Sequence, residues 1–246
     1  LKHLSNWGDF KGLQNSTFDR TKFKLYGGLN ERRYTLLANI NYNNQGLHYY
    51  GISDTIAVAG DSLNQRYSDT GFDFSYASHK KDSATLNFGA GIMYNNFQSK
   101  KPERADLSDW RARENAFDLN TNAWYKLGRE IYAAEFNIRY NGYKYGTLDS
   151  TYANILDSGF VQNNTIVNLK PTITTQFMDD RFKAKVGVDI VFDGREKTRA
   201  HIYPVAEVKY SMLNDLFIPY VGLRGGLKQT TFKSLTRENE FLRSNV

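Results

Sequence analysis

The stretch RFKAKVGVDIVFD, from Arg181 to Asp193, decides the fold. Every even position in it is apolar, and most odd positions are polar. Because successive side chains of a β-strand point to opposite faces, this period of two predicts a strand with one face in an apolar medium and the other in water. The run is far longer than the roughly five or six residues of an average strand. It is long enough to cross a bilayer as a tilted strand, which takes about 9–11 residues.

The composition is compatible with such strands in a membrane. The chain has 246 residues, a net charge of +6, no cysteine, and many aromatic residues, with 17 Tyr and 16 Phe. A mean hydropathy of −0.60 is usual for a soluble protein, but a membrane barrel is polar at alternate residues and gives similarly low averages. The absence of cysteine excludes disulfides and thiolate sites.

The same alternation recurs along the chain and predicts an all-β protein of about ten antiparallel strands. The predicted strands span residues 21–29, 34–42, 67–78, 84–95, 117–127, 132–140, 163–177, 181–193, 201–210 and 217–228. Residues 1–20 and 233–246 are predicted to be loops. Proline breaks the hydrogen-bond ladder of a strand, so Pro204 and Pro219 predict bulges near strand starts, and the more central Pro171 predicts a bulge or a misplaced boundary.

The predicted connections alternate between short turns and long irregular segments such as residues 43–66, 98–113 and 146–162. This asymmetry is typical of an outer-membrane barrel, which has tight periplasmic turns and large outer loops. The long segments contain apolar residues, among them Tyr49, Trp110 and Tyr152. These side chains either fold inward as a plug or form a surface for a partner.

Aromatic residues recur on the apolar face at a spacing of eight residues and form a candidate aromatic girdle. The pairs are Tyr34 and Tyr42, Phe117 and Tyr125, and Tyr132 and Tyr140. Eight residues at ~3.3 Å each, tilted by about 40°, span roughly 20 Å of the membrane normal, close to the ~25 Å lipid-facing band of such barrels. The alternative is that aromatic residues simply favour strands.

The polar face carries too many charges for a dry ligand cavity or a sandwich core, and it suits a water-filled lumen. On the last four predicted strands these charges form a candidate basic wall. Its members are Lys170, Lys183, Lys185, Lys209, Arg224 and Lys228. The wall would attract anionic solutes. Alternatively, its members pair with acidic residues on further strands or bind anionic lipid head groups.

The segment YPVAEVKYSMLNDLFIPYVGLRGGLKQTTFKSLTRENEF, Tyr203–Phe241, resembles the barrel half of TonB-dependent-receptor-like proteins. The resemblance implies an antiparallel transmembrane β-barrel in the outer membrane of a Gram-negative bacterium. Its implied partners are the lipid bilayer, lipopolysaccharide, and other outer-membrane or periplasmic subunits. No basic element with interleaved stacking aromatic residues is present in the sequence, so nucleic acid is not an expected partner. Neither a plug-domain pattern nor a TonB-box segment is recognisable. We expect residues 1–246 to form one β-barrel domain that is an internal piece of a barrel of 12–14 strands, with both ends of the chain on the side of the long loops.

The sequence leaves three functions open. The first is transport, as a porin-like or receptor-like barrel that passes solute; the second is a non-transporting subunit or scaffold of an outer-membrane complex. A barrel enzyme is third, because the four histidines are scattered and no catalytic, metal or cofactor pattern is present. A lumen free of protein segments favours transport, whereas a lumen filled by loops and charge pairs favours the scaffold.

Overall fold

The structure of the protein is a computed structural model. It describes residues 1–6, 17–48, 64–79, 86–100, 110–147, 160–178, 181–195, 197–213 and 215–239. These residues form eleven strands and one short helix. The strands are β1 (Lys2–Asn6), β2 (Phe18–Asn30), β3 (Tyr34–His48), β4 (Asn64–Ser78), β5 (Asn87–Lys100), β6 (Trp110–Leu127), β7 (Glu130–Thr147), β8 (Phe160–Phe177), β9 (Phe182–Gly194), β10 (Thr198–Tyr210) and β11 (Tyr220–Arg224). The helix, α1, spans Phe232–Glu238. Among the described residues, no helix is long and apolar enough to cross a bilayer.

The strands form a single antiparallel sheet in which each strand pairs with its neighbours in the sequence, from β1 to β11. Within the described residues, β1 and β11 do not pair with each other, so the sheet is open. The fold class predicted from the sequence is confirmed, with one strand more than expected. The additional strand is β1, which pairs with β2 in the register His3↔Thr21.

Long and short connections lie at opposite ends of the sheet, as the sequence predicts. By the strand bounds, residues 31–33, 79–86, 128–129, 178–181 and 211–219 join strands at one end, the short-turn end. Residues 7–17, 49–63, 101–109 and 148–159 join them at the other, the long-connection end, together with the short link 195–197. The tightest turn uses Gly128, whose positive φ of 61° is accessible to glycine at no steric cost.

Several strands continue past their predicted limits at the long-connection end. β3 runs to His48 and β4 begins at Asn64, so the predicted loop 43–66 is shorter than expected. β5 and β7 are extended in the same way, to Lys100 and Thr147. These extensions are mostly polar, with Phe97, Tyr143 and Tyr145 buried on one face, and backbone pairing continues there without the alternation that marks the apolar band.

Pro171 lies inside β8 without a bulge, so the predicted bulge or misplaced boundary is wrong. On one side Pro171 pairs with Ala134 of β7. On the other side, Leu169↔Ile190 and Thr172↔Gly187 have the same register, so the strands run on unshifted past the proline. The sheet therefore loses the ladder hydrogen bond of one residue at this point and keeps its alignment.

The two faces of the sheet are opposite in character. The apolar face is exposed and carries Leu25, Ile40, Phe72, Phe88, Phe117, Phe136, Leu169, Val186, Ile202 and Val221. The polar face holds buried polar and charged side chains, including Gln65, Asp69, Asn87, Glu114, Asp118, Asn141, Thr172 and Asp189. Exposed apolar area on this scale marks a surface that contacts lipid or another protein. The distribution is the inverse of that in a water-soluble β-sandwich.

Candidate functional site on the polar face

Helix α1 lies on the polar face, although the sequence predicts a loop for residues 233–246. The helix begins with a capping box, in which the Thr231 side chain accepts from the Ser234 backbone N–H and the Ser234 hydroxyl accepts from that of Thr231. A seven-residue helix is too short to be stable by itself in water. Its contacts with the sheet therefore stabilise it. Residues 240–246 of the predicted loop lie outside the described residues.

An aromatic cluster anchors α1 to strands β4, β5 and β7. The Phe232 side chain is 8% exposed. Its ring centroid is 5.2 Å from that of Tyr143 and 5.9 Å from that of Phe97. Tyr67 in turn stacks on Phe97, with centroids 5.8 Å apart and an interplanar angle of 15°. The cluster buries apolar surface on a face that is otherwise polar, and it fixes the position of the helix.

The residue after Phe232 adds a buried ion pair. The Lys233 Nζ donates to Asp69 Oδ1 at 2.9 Å and to Asn95 Oδ1 at 2.7 Å. Both charged side chains are mostly buried, with 18% of Lys233 and 11% of Asp69 exposed. Asn95 also donates to Asp69 through Nδ2 at 2.5 Å, so both ends of the amide are bonded. The lysine ammonium and the asparagine together compensate the buried carboxylate.

Glu114 of β6 binds the start of α1. The backbone N–H of Lys233 donates to Glu114 Oε2 at 3.2 Å. Glu114 lies three residues beyond the girdle residue Phe117, towards the long-connection end and outside the band between the girdles. Burial raises the pKa of the Glu114 carboxyl, although the hydrogen bond from the Lys233 backbone N–H opposes the shift. Burial likewise raises the pKa of the Tyr143 phenol, which faces Glu114 in the register.

The side chains that hold α1 form one row across the sheet. Asp69 pairs with Phe97, Phe97 with Glu114, and Glu114 with Tyr143, on four consecutive strands. One acidic and one aromatic residue alternate twice along this row. The row therefore offers carboxylates to the lysine and the backbone of α1 and aromatic rings to Phe232.

The chain reaches this row by crossing the polar face from β11. We call residues 225–239 the inner segment. Gly226 and Leu227 of this segment help to line a cavity of about 200 Å³ together with Asp118, Asn168 and Asp189 of the sheet. The inner segment therefore lies over β6, β8 and β9 before α1 docks near β4 and β5. It covers the side of the sheet on which the sequence predicts a water-filled lumen.

Side chains under the inner segment are linked to one another across the strands. Arg139 Nε binds Asp118 Oδ1 at 2.7 Å, between β7 and β6. Asn137 Nδ2 donates to Asn168 Oδ1 at 3.0 Å, and Asn168 in turn donates to Asp189. This network satisfies polar groups on a wall from which bulk water is partly excluded.

The candidate basic wall is partly neutralised by acidic residues of the same sheet. Lys170 forms an ion pair with Glu135 on β7. Glu207 binds Lys209 Nζ at 2.8 Å and Arg224 at 2.6 Å. Partners on further strands were one alternative predicted for the wall, but these acidic partners lie on β7 and on β10 itself.

The other three members of the basic wall, Lys183, Lys185 and Lys228, do not form such ion pairs with described residues. Lys183 is exposed and Lys185 half-buried on the polar face of β9, and no described carboxylate lies within ion-pair distance of either. Lys228 is not on a strand, because β11 ends at Arg224 and the chain turns into the inner segment. The strand position predicted for Lys228 is therefore wrong, and its contribution to the basic charge of the lumen stays a prediction.

The girdle residues lie on the apolar face. Phe117 pairs directly with Tyr140, and Tyr125 with Tyr132, so β6 and β7 present two aromatic pairs at two heights. On β3, the Tyr34 ring stacks on Tyr76, with centroids 6.2 Å apart. Tyr42 on the same strand is exposed and pairs with Phe23 of β2.

Sequence reasoning missed the whole docking arrangement of α1. The only local signal is the pair Thr231 and Ser234, which has the spacing of a capping box but lacks the usual Glu or Gln at the second position. Phe232 and Lys233 carry no periodicity that separates them from a loop. Asp69 stood near the start of a predicted strand and Glu114 beside a predicted loop. Their positions on one row follow from the register between strands, which the sequence did not provide.

No family model and no curated protein matches the sequence. Among solved structures, the chain is similar to BauA, the ferric preacinetobactin receptor from Acinetobacter baumannii, with a TM-score of 0.52 and 8% identity. This match covers 80% of the chain and 38% of BauA. The translocator domain of the autotransporter NalP from Neisseria meningitidis matches with a TM-score of 0.38 and 10% identity, over 87% of the chain and 77% of that domain.

The chain thus spans well under half the length of BauA. At this identity the likeness concerns the fold. Together with the exposed apolar face and the buried polar face, it shows that the chain has the all-β, antiparallel fold of an outer-membrane β-barrel. The polar face is accordingly the lumen side, and the inner segment lies within the lumen.

Proposed function

We propose that this chain forms a wall of an outer-membrane β-barrel that passes solute in a gated, receptor-like manner, with the inner segment as its gate. The observation that carries the proposal is the docking of α1 on a lumen wall lined by buried polar side chains. A polar lumen wall supports passage of hydrated solutes. A segment held across that wall restricts passage while it remains docked.

The contacts of α1 favour a gate that can move. Helix α1 is held by the aromatic contacts of a single residue, Phe232, and by one buried ion pair, between Lys233 and Asp69. A short helix held by a few contacts belongs to the low-stability part of a structure, which opens without unfolding the rest. The long strands that form the wall stay paired during such an opening.

The proposed setting is the outer membrane of a Gram-negative bacterium, with the exposed apolar face against the bilayer. The aromatic pairs of β6 and β7 would lie at the two membrane interfaces. Lipopolysaccharide is the proposed lipid partner at the long-connection end. The proposed role is non-enzymatic.

Single-channel conductance of the full-length protein in planar bilayers tests the proposal. We expect small or infrequent openings from the native protein and frequent, larger openings from the variant Phe232→Ala, which loses the aromatic anchor. Phe136→Ala, the same substitution on the apolar face, is the matched control and leaves conductance unchanged. Silence from the native protein and from a correctly folded Phe232→Ala variant would contradict a passage role.

A second candidate function is a non-transporting barrel subunit or scaffold. It is favoured by the ion pairs of Lys170 with Glu135 and of Glu207 with Lys209 and Arg224, which neutralise much of the wall. A lumen filled by charge pairs and a docked helix would make the barrel rigid and would not let solute pass. This alternative predicts that the Phe232→Ala variant stays silent in bilayers while remaining folded.

A further inference from the structure

A second feature of the polar face lies between α1 and the strands at the β1 edge of the sheet. A cavity of about 380 Å³ opens there, lined on the strand side by Arg20, Asn43 and Tyr67, among others, and on the helix side by Thr236 and Arg237. Its size falls in the range of small-molecule sites, roughly 300–1,000 Å³. It is separate from the basic wall of β8–β11 and adjoins the docking contacts of α1, since Tyr67 and Asp69 also line it.

Positive charge is concentrated around this cavity. Arg20 lines it and also lines a smaller neighbouring cavity of about 90 Å³, together with Lys2 and Lys22. In the register of β1 and β2, Lys2 and Lys22 are directly opposite cross-strand neighbours. Arg237 approaches from α1. Like charges this close repel one another and favour a bound anion between them.

The acidic residue at the cavity, Asp69, neutralises only part of this charge, because one carboxylate is shared by two cations. Asp69 is engaged by Lys233, whose Nζ is 2.9 Å from Oδ1. The nearest guanidinium nitrogen of Arg237 is 3.7 Å from Asp69 Oδ2, and 71% of the Arg237 side chain is exposed. Arg20 is held by a neutral group, since its Nε donates to Asn43 Oδ1 at 3.1 Å. Both guanidinium groups therefore retain donors that can turn towards the cavity.

We propose that this cavity binds a small solute that carries anionic oxygen groups, phosphoryl or carboxylate, between Arg20 of β2 and Arg237 of α1. A guanidinium presents parallel N–H donors that match two oxygens of a phosphate or carboxylate. Asn43 and Tyr67 line the same space and supply neutral hydrogen-bonding groups for hydroxyls of the solute. Because α1 forms one side of the cavity, the site exists only while the inner segment is docked, and bound anion stabilises the docked state.

Isothermal titration calorimetry of the folded, full-length protein in detergent tests this site directly. The probes are pyrophosphate for the phosphoryl group, malonate for the carboxylate group, and glucose as an uncharged comparison. We expect at least one of the two anions to bind and glucose to give no heat. Affinity falls as ionic strength rises, since the attraction is largely between exposed charges.

Two variants locate the binding. Arg20→Gln and Arg237→Gln each remove one guanidinium group. Each should lower the affinity for the anion by about tenfold or more, which is the usual effect of losing a charge-assisted hydrogen bond. Lys183→Gln is the matched control, because it removes an exposed cation from the polar face of β9, far from the cavity. Heat-modifiable migration in electrophoresis verifies that each variant is folded. If Arg20→Gln does not fold, Arg237→Gln carries the test, because its side chain is mostly exposed.

The outcomes separate this site from the proposed gate. Tenfold weaker binding in the arginine variants, with unchanged binding in Lys183→Gln, supports the site whether or not the barrel conducts. Absence of binding for both anions at millimolar concentration overturns it. An equal loss in Lys183→Gln also overturns it, because the attraction would then come from the charge of the whole lumen.

Discussion

Removing the aromatic anchor of the inner segment should release α1 from the polar face. The Phe232 ring is 8% exposed and packs on Tyr143 and Phe97. Truncation of a buried phenylalanine to alanine costs about 3–5 kcal/mol, and we take about 3 kcal/mol because this cluster lies at the end of the strands, where it can relax. At about 1.4 kcal/mol per factor of ten, the undocked population of the helix rises about a hundredfold.

Thiol labelling measures this population cleanly, because the chain contains no cysteine. Thr236 of α1 is 4% exposed and is close to cysteine in size, so the substitution Thr236→Cys places a protected thiol on the docked helix. When docking is fast relative to labelling, the rate of reaction with a water-soluble maleimide is proportional to the undocked fraction. We expect slow labelling in the Thr236→Cys protein and labelling about a hundred times faster when Phe232→Ala is added.

The matched control adds Phe136→Ala, which truncates an exposed phenylalanine on the apolar face and should not change the rate. The reasoning would be refuted if the thiol at position 236 reacts at the rate of a fully exposed site in the otherwise native protein. It would also be refuted if Phe232→Ala leaves the slow rate unchanged.

The remaining predictions use the same labelling assay and one measurement of stability. In a double-mutant cycle, Asp69→Asn and Lys233→Met should each speed labelling, because either change alone leaves a buried charge without its partner. The coupling energy between the two substitutions should be about 2 kcal/mol. Additive effects of the two substitutions would contradict the ion pair. Burial raises the pKa of Glu114 in the docked state, so docking is strongest below the ordinary carboxyl pKa and weakens as pH rises through the raised pKa. The labelling rate relative to that of the Glu114→Gln variant should therefore rise with pH, because this variant keeps only the pH dependence of the maleimide reaction itself. Gly187→Ala should destabilise the folded barrel in lipid vesicles by about 1–3 kcal/mol in urea titrations, because its Cβ would lie 2.4 Å from the carbonyl oxygen of Pro171; Gly91→Ala, whose Cβ would lie 3.7 Å from its nearest neighbours, should be nearly neutral.

The parts of the fold that could be predicted are those in contact with the apolar medium. Along β9, Phe182–Gly194, lipid on one side and polar groups on the other impose a strict period of two, which is legible in the sequence. The same holds for β7, where Tyr132 and Tyr140 mark the limits of the apolar band. Beyond Tyr140 the strand continues to Thr147 with Tyr143 and Tyr145 buried on the polar face, so the pattern that revealed the strand ends there.

The elements that could not be predicted depend on contacts between distant parts of the chain. β1 has five residues, Lys2–Asn6, and is defined by its pairing with β2. The docking of α1 joins Lys233 to Asp69, which lies 164 residues earlier in the sequence. The pairing of Lys170 with Glu135 likewise follows from the register of β7 and β8, which no local pattern encodes.

A spin-label scan along β7 tests most directly whether the apolar face meets lipid and the polar face lines the lumen. Single cysteines replace Phe136, Asn137, Ile138 and Arg139 in turn in the cysteine-free chain, and the labelled proteins are folded into lipid vesicles. The account predicts high accessibility to oxygen, which concentrates in lipid, at positions 136 and 138, and lower accessibility to oxygen at 137 and 139. Equal accessibility at all four positions, or the reverse alternation, would contradict it.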